Sequence, residues 1–252
     1  MSFEPIRIGN TVITKKAKSN KTHAYEIKNE ASPHLMKSIK ASSFEATDVL
    51  TLRDYLKRTR YATEMYVALR LAHDLGQQMQ ALISGGHCFA CLGVDDVVVV
   101  THRASDAFTH KALPHSTLSD RRMDPQFLFL NDRLLFEVDE RDGALLMDRK
   151  TATAATASSI NAFLSPELVE TLKLTTTTTT TTTTHVLRVH FKTAYYSVAQ
   201  LIIYFLLNVD RIPDDHDAAD PEYLRPIKGT KLCWFLMRCL NRVPSDRMYV
   251  YI

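Results

Sequence analysis

Gly85-Gly86-His87-Cys88-Phe89-Ala90-Cys91-Leu92-Gly93-Val94-Asp95-Asp96-Val97-Val98-Val99-Val100 is the passage on which the reading of the fold turns. Four β-branched valines in succession predict a fully buried strand. Upstream, Met65, Ala68, Leu69, Ala72, Leu75, Met79 and Leu82 recur at helical spacing and predict one apolar stripe on a helix over residues 63–84. The paired glycines end that helix, as residues free of a Cβ do at a C-cap. Between helix and strand lies a tight loop with two cysteines and two aspartates.

Toward the N-terminus, the short alternations Ile6-Arg7-Ile8, Thr11-Val12-Ile13-Thr14 and Tyr25-Glu26-Ile27, with Gly9-Asn10 as a turn, predict a small antiparallel sheet with one wet face. Thr51-Leu52-Arg53-Asp54 has the spacing of a helix cap. Toward the C-terminus, strand pattern resumes at 126–130, after a polar insert over 101–124, and Arg133 to Asp148 reads as two strands joined by Asp142-Gly143. Thr151 to Ser159 is small and polar. The uninterrupted threonines Thr175–Thr184 are expected to be an extended or disordered insertion, because β-branched residues lose rotamer freedom in a helix. A very apolar helix over 193–208, an acidic loop from Asp214 to Asp220 and a last helix follow. That last helix starts near Thr230 and buries Leu232, Phe235, Leu236, Cys239 and Leu240. Sheet first, then helices around a short buried sheet, is an α+β order.

Composition excludes several classes. A chain of 252 residues that is 45% hydrophobic can bury a large core. Its net charge of +3 is too small and scattered for a nucleic-acid binder. The basic runs Lys15, Lys16, Lys18, Lys21 and Arg121, Arg122 read as solvated loops. The start shows no secretory signal, and four cysteines in so long a chain suit a reducing, intracellular setting. Val198–Leu207 is an apolar run of about half the ~20 residues a membrane span needs, so no span is expected.

Two chemistries compete for the loop. His87, Cys88 and Cys91 have the look of half a zinc site, but Cys233 and Cys239 stand six apart on one predicted helix and supply no second half. Cys91 beside His87 is also a candidate activated thiolate. Buried, reduced thiols are the expected state of both. The ten histidines form no HExxH, and Asp95-Asp96 alone does not make a metal site.

Three segments taken in order resemble a eukaryotic-type protein kinase. Phe89 to Asp96, after a glycine-ended helix and before a buried strand, is similar to the catalytic loop HRDLKxxN, with Phe89, Ala90 and Cys91 at the HRD positions, Gly93 at the lysine and Asp96 at the metal-binding asparagine. Leu164-Ser165-Pro166-Glu167 is similar to the APE motif, and Arg238 to Arg247 to the leucine-proline-arginine pattern that follows. The resemblance implies a Glu167–Arg247 ion pair. Tyr195-Tyr196-Ser197 resembles the DxWSLG start of the central helix, with Ala194 in place of the aspartate that holds the catalytic loop. That loop is accordingly expected without its tether. The DFG position falls near Asn131-Asp132-Arg133, and no GxGxxG loop is present.

The resemblance therefore implies an α+β, protein kinase-like fold, with a reduced β-rich N-terminal lobe over 1–50 and a mainly helical lobe over 51–252 that carries inserts at 101–124 and 175–184. It implies a pseudokinase of the kind found in large DNA viruses: not an enzyme, with no catalytic residues, metal or cofactor. Its role is that of a scaffold or virion-associated minor capsid protein with capsid or other virion proteins as partners, located inside the cell or in the virion. The alternative is a residual nucleotide-binding domain or weakly active Ser/Thr kinase, in which Asp96, Asp132 and Lys15 hold the nucleotide. Glu167, Arg247 and Ser197 are the expected structural residues.

Overall fold

An antiparallel sheet opens the chain, in the order β1 (Ile6–Ile8), β2 (Thr11–Lys18), β3 (His23–Lys28) and β4 (Ser43–Ala46). The computed structural model describes residues 4–18, 23–39, 41–60, 64–101, 125–148, 150, 162–177, 186–209 and 222–249. The period of two does the expected work in this sheet: Ile8, Ile13, Tyr25 and Ile27 are buried, while Lys16 pairs with Glu26 at 2.8 Å on the other face. A short helix, α1 (Pro33–Ile39), lies between β3 and β4 and packs on the long helix α3 (Met65–Ser84). It carries Lys37 and no glutamate.

The valine run is the middle strand of a second sheet. β8 (Val97–Thr101) sits between β5 (Asp48–Thr51) and β9 (Pro125–Phe129), antiparallel to both, with every valine buried. A strand walled on both sides by strands and on both faces by core has no use for alternation, which is why it reads as a continuous apolar run. Helix α2 (Leu52–Arg58) starts at Thr51, whose Oγ1 accepts from Asp54 N at 3.1 Å and donates to Asp54 Oδ2 at 2.8 Å.

Helix α3 buries Ala68, Leu71, Ala72, Leu75, Gln78, Met79 and Leu82. The predicted stripe is shifted at its start: Met65 is exposed and Leu69 only half-buried, and Leu71 takes the core position. A third sheet, in the order β13 (Val186–His190), β11 (Ala144–Asp148), β10 (Leu135–Asp139) and β6 (His87–Phe89), collects the hairpin and the strand that precedes the loop. Gly143 turns the hairpin at φ +69°, a left-handed conformation costly for any side chain. The two-residue strands β7 (Leu92–Gly93) and β12 (Ala162–Phe163) pair as well.

Helix α4 (Pro166–Thr177) corrects one expectation: its backbone runs on through the first three threonines. Once a helix is nucleated, each further residue adds a hydrogen bond, and this outweighs the modest penalty of a β-branched residue. The rest of the threonine tract, the insert over 102–124, the stretch 151–161 and the acidic segment 214–220 lie outside the described residues. Helix α5 (Thr193–Leu207) is buried along most of its length and ends at Asn208, φ 54°. Helix α6 (Lys231–Cys239) is capped by Thr230, whose Oγ1 accepts from Cys233 N at 3.2 Å. The fold is α+β, and no helix among the described residues is long and apolar enough to cross a membrane.

Candidate functional site

The loop from Ala90 to Asp96 joins β6 to β8, and its two aspartates have opposite fates. Asp95 points outward, where Arg53 of α2 donates to both of its oxygens, from Nε at 2.5 Å and Nη2 at 2.7 Å. Asp96 points inward and is 3% exposed. It accepts from Gly93 N at 2.6 Å and from Asn131 Nδ2 at 2.6 Å, while its own carbonyl accepts from Leu130 N at 3.0 Å. A carboxylate this deep requires donors, and loop and strand supply them.

Asp132, the next residue after Asn131, is held from the N-terminal sheet. Asn10 donates to it twice, from its backbone N to Oδ1 and from Nδ2 to Oδ2, both at 2.8 Å. Beside it, Thr11 Oγ1 donates to Leu130 O at 2.6 Å and accepts from Asn29 Nδ2 at 2.8 Å, all buried. The turn between β1 and β2 thus lies directly on residues 130–132. Gly9 makes this approach possible: its φ is +60°, and a Cβ there would come within 2.7 Å of Asn131 Oδ1 and closer still to Asp132 Oδ1.

The alternative reading, in which a nucleotide binds, gives Asp96, Asp132 and Lys15 to its site. In the structure Asp96 accepts from Gly93 and Asn131, and Asp132 from Asn10, so both carboxylates are already engaged by protein donors. Lys15 stands on β2 opposite Tyr25. Among the described residues no group of three or more His, Cys, Asp or Glu side chains is arranged to hold a metal.

The cysteine readings fail on geometry. Cys88 and Cys91 are fully buried; burial pushes the Cys88 thiol up to about 12 and drives that of Cys91 higher, with the Asp96 charge adding to it. The His87 ring turns away to stack on His34 at a centroid distance of 3.8 Å, and its Nδ1 contacts Gly85 O at 2.9 Å. Sealed from solvent, with the His87 ring stacked elsewhere, neither thiol is placed as an activated nucleophile.

The residues expected to be structural meet as follows. Arg247 is fully buried, and its guanidinium donates to both oxygens of Glu167, from Nη1 at 2.5 Å and Nη2 at 2.9 Å. Its Nε donates to Asn241 O at 2.7 Å, and the Tyr196 ring lies 4.9 Å below. Ala194 is buried in the first turn of α5 and holds nothing, yet the loop is not untethered: Ser197 Oγ accepts from Leu92 N at 2.9 Å and donates to Leu92 O at 3.3 Å. The expectation of an unheld loop is corrected by this hydroxyl, three residues further along the same helix. Ser197→Ala leaves the buried Leu92 N–H without that acceptor and is expected to cost about 1–3 kcal/mol. Urea unfolding measures it, and an unchanged midpoint would show that the loop does not depend on Ser197.

Three polar residues of the site went unpredicted. Asn10 reads only as a turn and Asn131 only as a neighbour of Asp132. Gln78 carried a signal: it is a polar side chain on the buried face of α3, a place that demands partners. It acts as an extra strand rung, accepting from Phe129 N and donating to Phe129 O, both at 2.8 Å, with a further bond to Ser38 of α1 at 3.2 Å.

By sequence, the chain matches no family model and no curated protein. Among solved structures it is similar to the crystal structure of the PknI kinase domain of Mycobacterium tuberculosis, at 11% identity and a TM-score of 0.44, over 96% of this chain and 92% of that one. It is similar also to a cysteine-to-alanine mutant of that domain, at 10% identity and a TM-score of 0.45, over 98% and 94%. The similarity is one of fold alone. These structures are kinase domains, and the expectation of a protein that is not an enzyme is not carried further.

Proposed function

We propose that this chain is a kinase-like, nucleotide-binding domain resting in a self-latched state. The observation that carries the reading is the pair of hydrogen bonds from Asn10 to Asp132, backed by Thr11 on Leu130. They set the β1–β2 turn down on the residues that the kinase resemblance gives to nucleotide binding. A nucleotide reaching Asp132 has to displace that turn first.

The size of the obstacle follows from the bonds. A hydrogen bond to a charged acceptor contributes about 1.5–3 kcal/mol net, and the exposure of this pair favours the low end. Two such bonds amount to about 3 kcal/mol, which leaves the open form near one molecule in a hundred and weakens apparent nucleotide affinity about a hundredfold. Asn10→Ala removes one of the two and is expected to strengthen ATP binding about tenfold, because apparent affinity scales with the open fraction. A titration of melting temperature against ATP, with and without Mg²⁺, measures this in wild type, Asn10→Ala and Asp132→Ala. The expected order is Asn10→Ala above wild type, with Asp132→Ala showing the weakest response. No nucleotide-dependent shift in any of the three at millimolar ATP would sink the proposal, as would an Asn10→Ala variant that binds no better than wild type.

A further inference from the structure

Helix α6 spends its apolar face on the core, burying Leu232, Cys233, Phe235, Leu236 and Cys239. Its outer face is unusual for a solvated surface. Lys231, Trp234 and Arg238 fall at i, i+3 and i+7, which on a helix is one narrow exposed stripe, and Trp234 is the most exposed large apolar side chain described, at 60%. At the C-terminal end of the stripe Met248 N reaches Arg238 O at 3.4 Å, bringing a second exposed apolar side chain beside it, and exposed Val243 follows Arg242 in the connecting segment.

We infer that this face docks an acidic, apolar-bearing peptide segment of a partner protein. Tryptophan, arginine and methionine are the residue types enriched where proteins meet, and an exposed indole flanked by cations offers an apolar anchor within a positive rim. Lys231 and Arg238, one turn to either side of Trp234 on the helix, set the sign of the rim. Charge complementarity therefore calls for carboxylates on the partner, spaced to straddle an apolar side chain that covers Trp234. A lipid surface fits less well. A helix that lies on a bilayer immerses a whole apolar face, and that of α6 is already buried in the protein. The inference does not depend on the latch at Asn10, since none of these residues takes part in it.

Trp234 is the only tryptophan in the chain, so its fluorescence reports on this face alone. The probe is a synthetic nine-residue peptide of glutamate, leucine and phenylalanine, titrated into the full chain. Its controls are a peptide with lysine in place of glutamate, vesicles containing phosphatidylserine, and a single-stranded oligonucleotide. The acidic peptide is expected to shift the emission to the blue and shield it from an aqueous quencher, and added salt is expected to weaken binding. The double variant Lys231→Glu/Arg238→Glu, altered only at exposed positions, is expected to bind at least about tenfold more weakly with an unchanged melting temperature. An unchanged emission at millimolar acidic peptide overturns the inference. So does an equal response to the lysine peptide, or a stronger one to vesicles or oligonucleotide. Binding that emerges only after Asp214, Asp215, Asp217 and Asp220 are replaced by asparagine also overturns it, because it assigns the face to the chain's own acidic segment.

Discussion

Glu167→Ala is expected to destabilise the protein by about 3–5 kcal/mol, a large part of the stability of an ordinary domain. The cost arises at the partner that remains. Arg247 has no exposed surface, and without Glu167 its charge keeps, among the described residues, only carbonyl partners, Asn241 O at 2.7 Å and Lys192 O at 3.4 Å, and the face of Tyr196. Carbonyls satisfy donors but do not neutralise a guanidinium. The Glu167 side chain is 21% exposed, so solvent relaxes one end of the pair and the lower part of the range applies. The asymmetry gives a sharper test than the single variant. Glu167→Leu/Arg247→Met removes both charges and fills the site with apolar atoms, and such replacements of buried pairs are often close to neutral. Urea unfolding is expected to rank the double variant well above Glu167→Ala. If the two are equally unstable, the cost lies in lost packing rather than in a stranded charge.

The parts of this fold that the sequence makes legible are those whose signal is local. The four valines of β8, the Asp142-Gly143 hairpin, the Thr51 and Thr230 caps and the apolar length of α5 each rest on residues close together in the chain, and each is found where expected. What escaped depends on distant partners. Val186–His190 alternates correctly, with Leu187 and Val189 buried, but a five-residue strand beside a threonine tract carries too little pattern to stand out. β6, β7 and β12 are two or three residues long and exist only through their partners. The site shows the same division. Asp96 and Asp132 are visible as acids, yet what each acid does is set by Asn131, 35 positions from Asp96, and by Asn10, 122 positions from Asp132. Residue type is written in the sequence. The hydrogen-bond partner is a property of the fold.

Asn131→Asp is the second large effect, and its sign depends on pH. The substitution replaces the amide that now donates to Asp96 Oδ1 at 2.6 Å with a second carboxyl group in a buried place. Two carboxylates at that separation cannot both be ionised, so one retains its proton in the folded state and its pKa rises above the unfolded value of about 4. A raised folded pKa gives stability that is fully present below about pH 4 and is lost as pH rises toward the folded value. With a rise of about two to three units, at about 1.36 kcal/mol each, the variant is expected to be about 3–4 kcal/mol less stable than wild type near pH 8 and close to it near pH 4. Urea midpoints across that range measure the slope, and a deficit independent of pH would refute the electrostatic cause. Exchanging the pair isolates the interaction. In Asp96→Asn/Asn131→Asp the amide stands at 96 and the carboxylate at 131, so one donor again faces one acceptor, and Gly93 N keeps the side-chain oxygen of residue 96. The pH slope is expected to vanish and most of the stability to return, with a coupling energy between the two sites of about 1–3 kcal/mol in the double-mutant cycle.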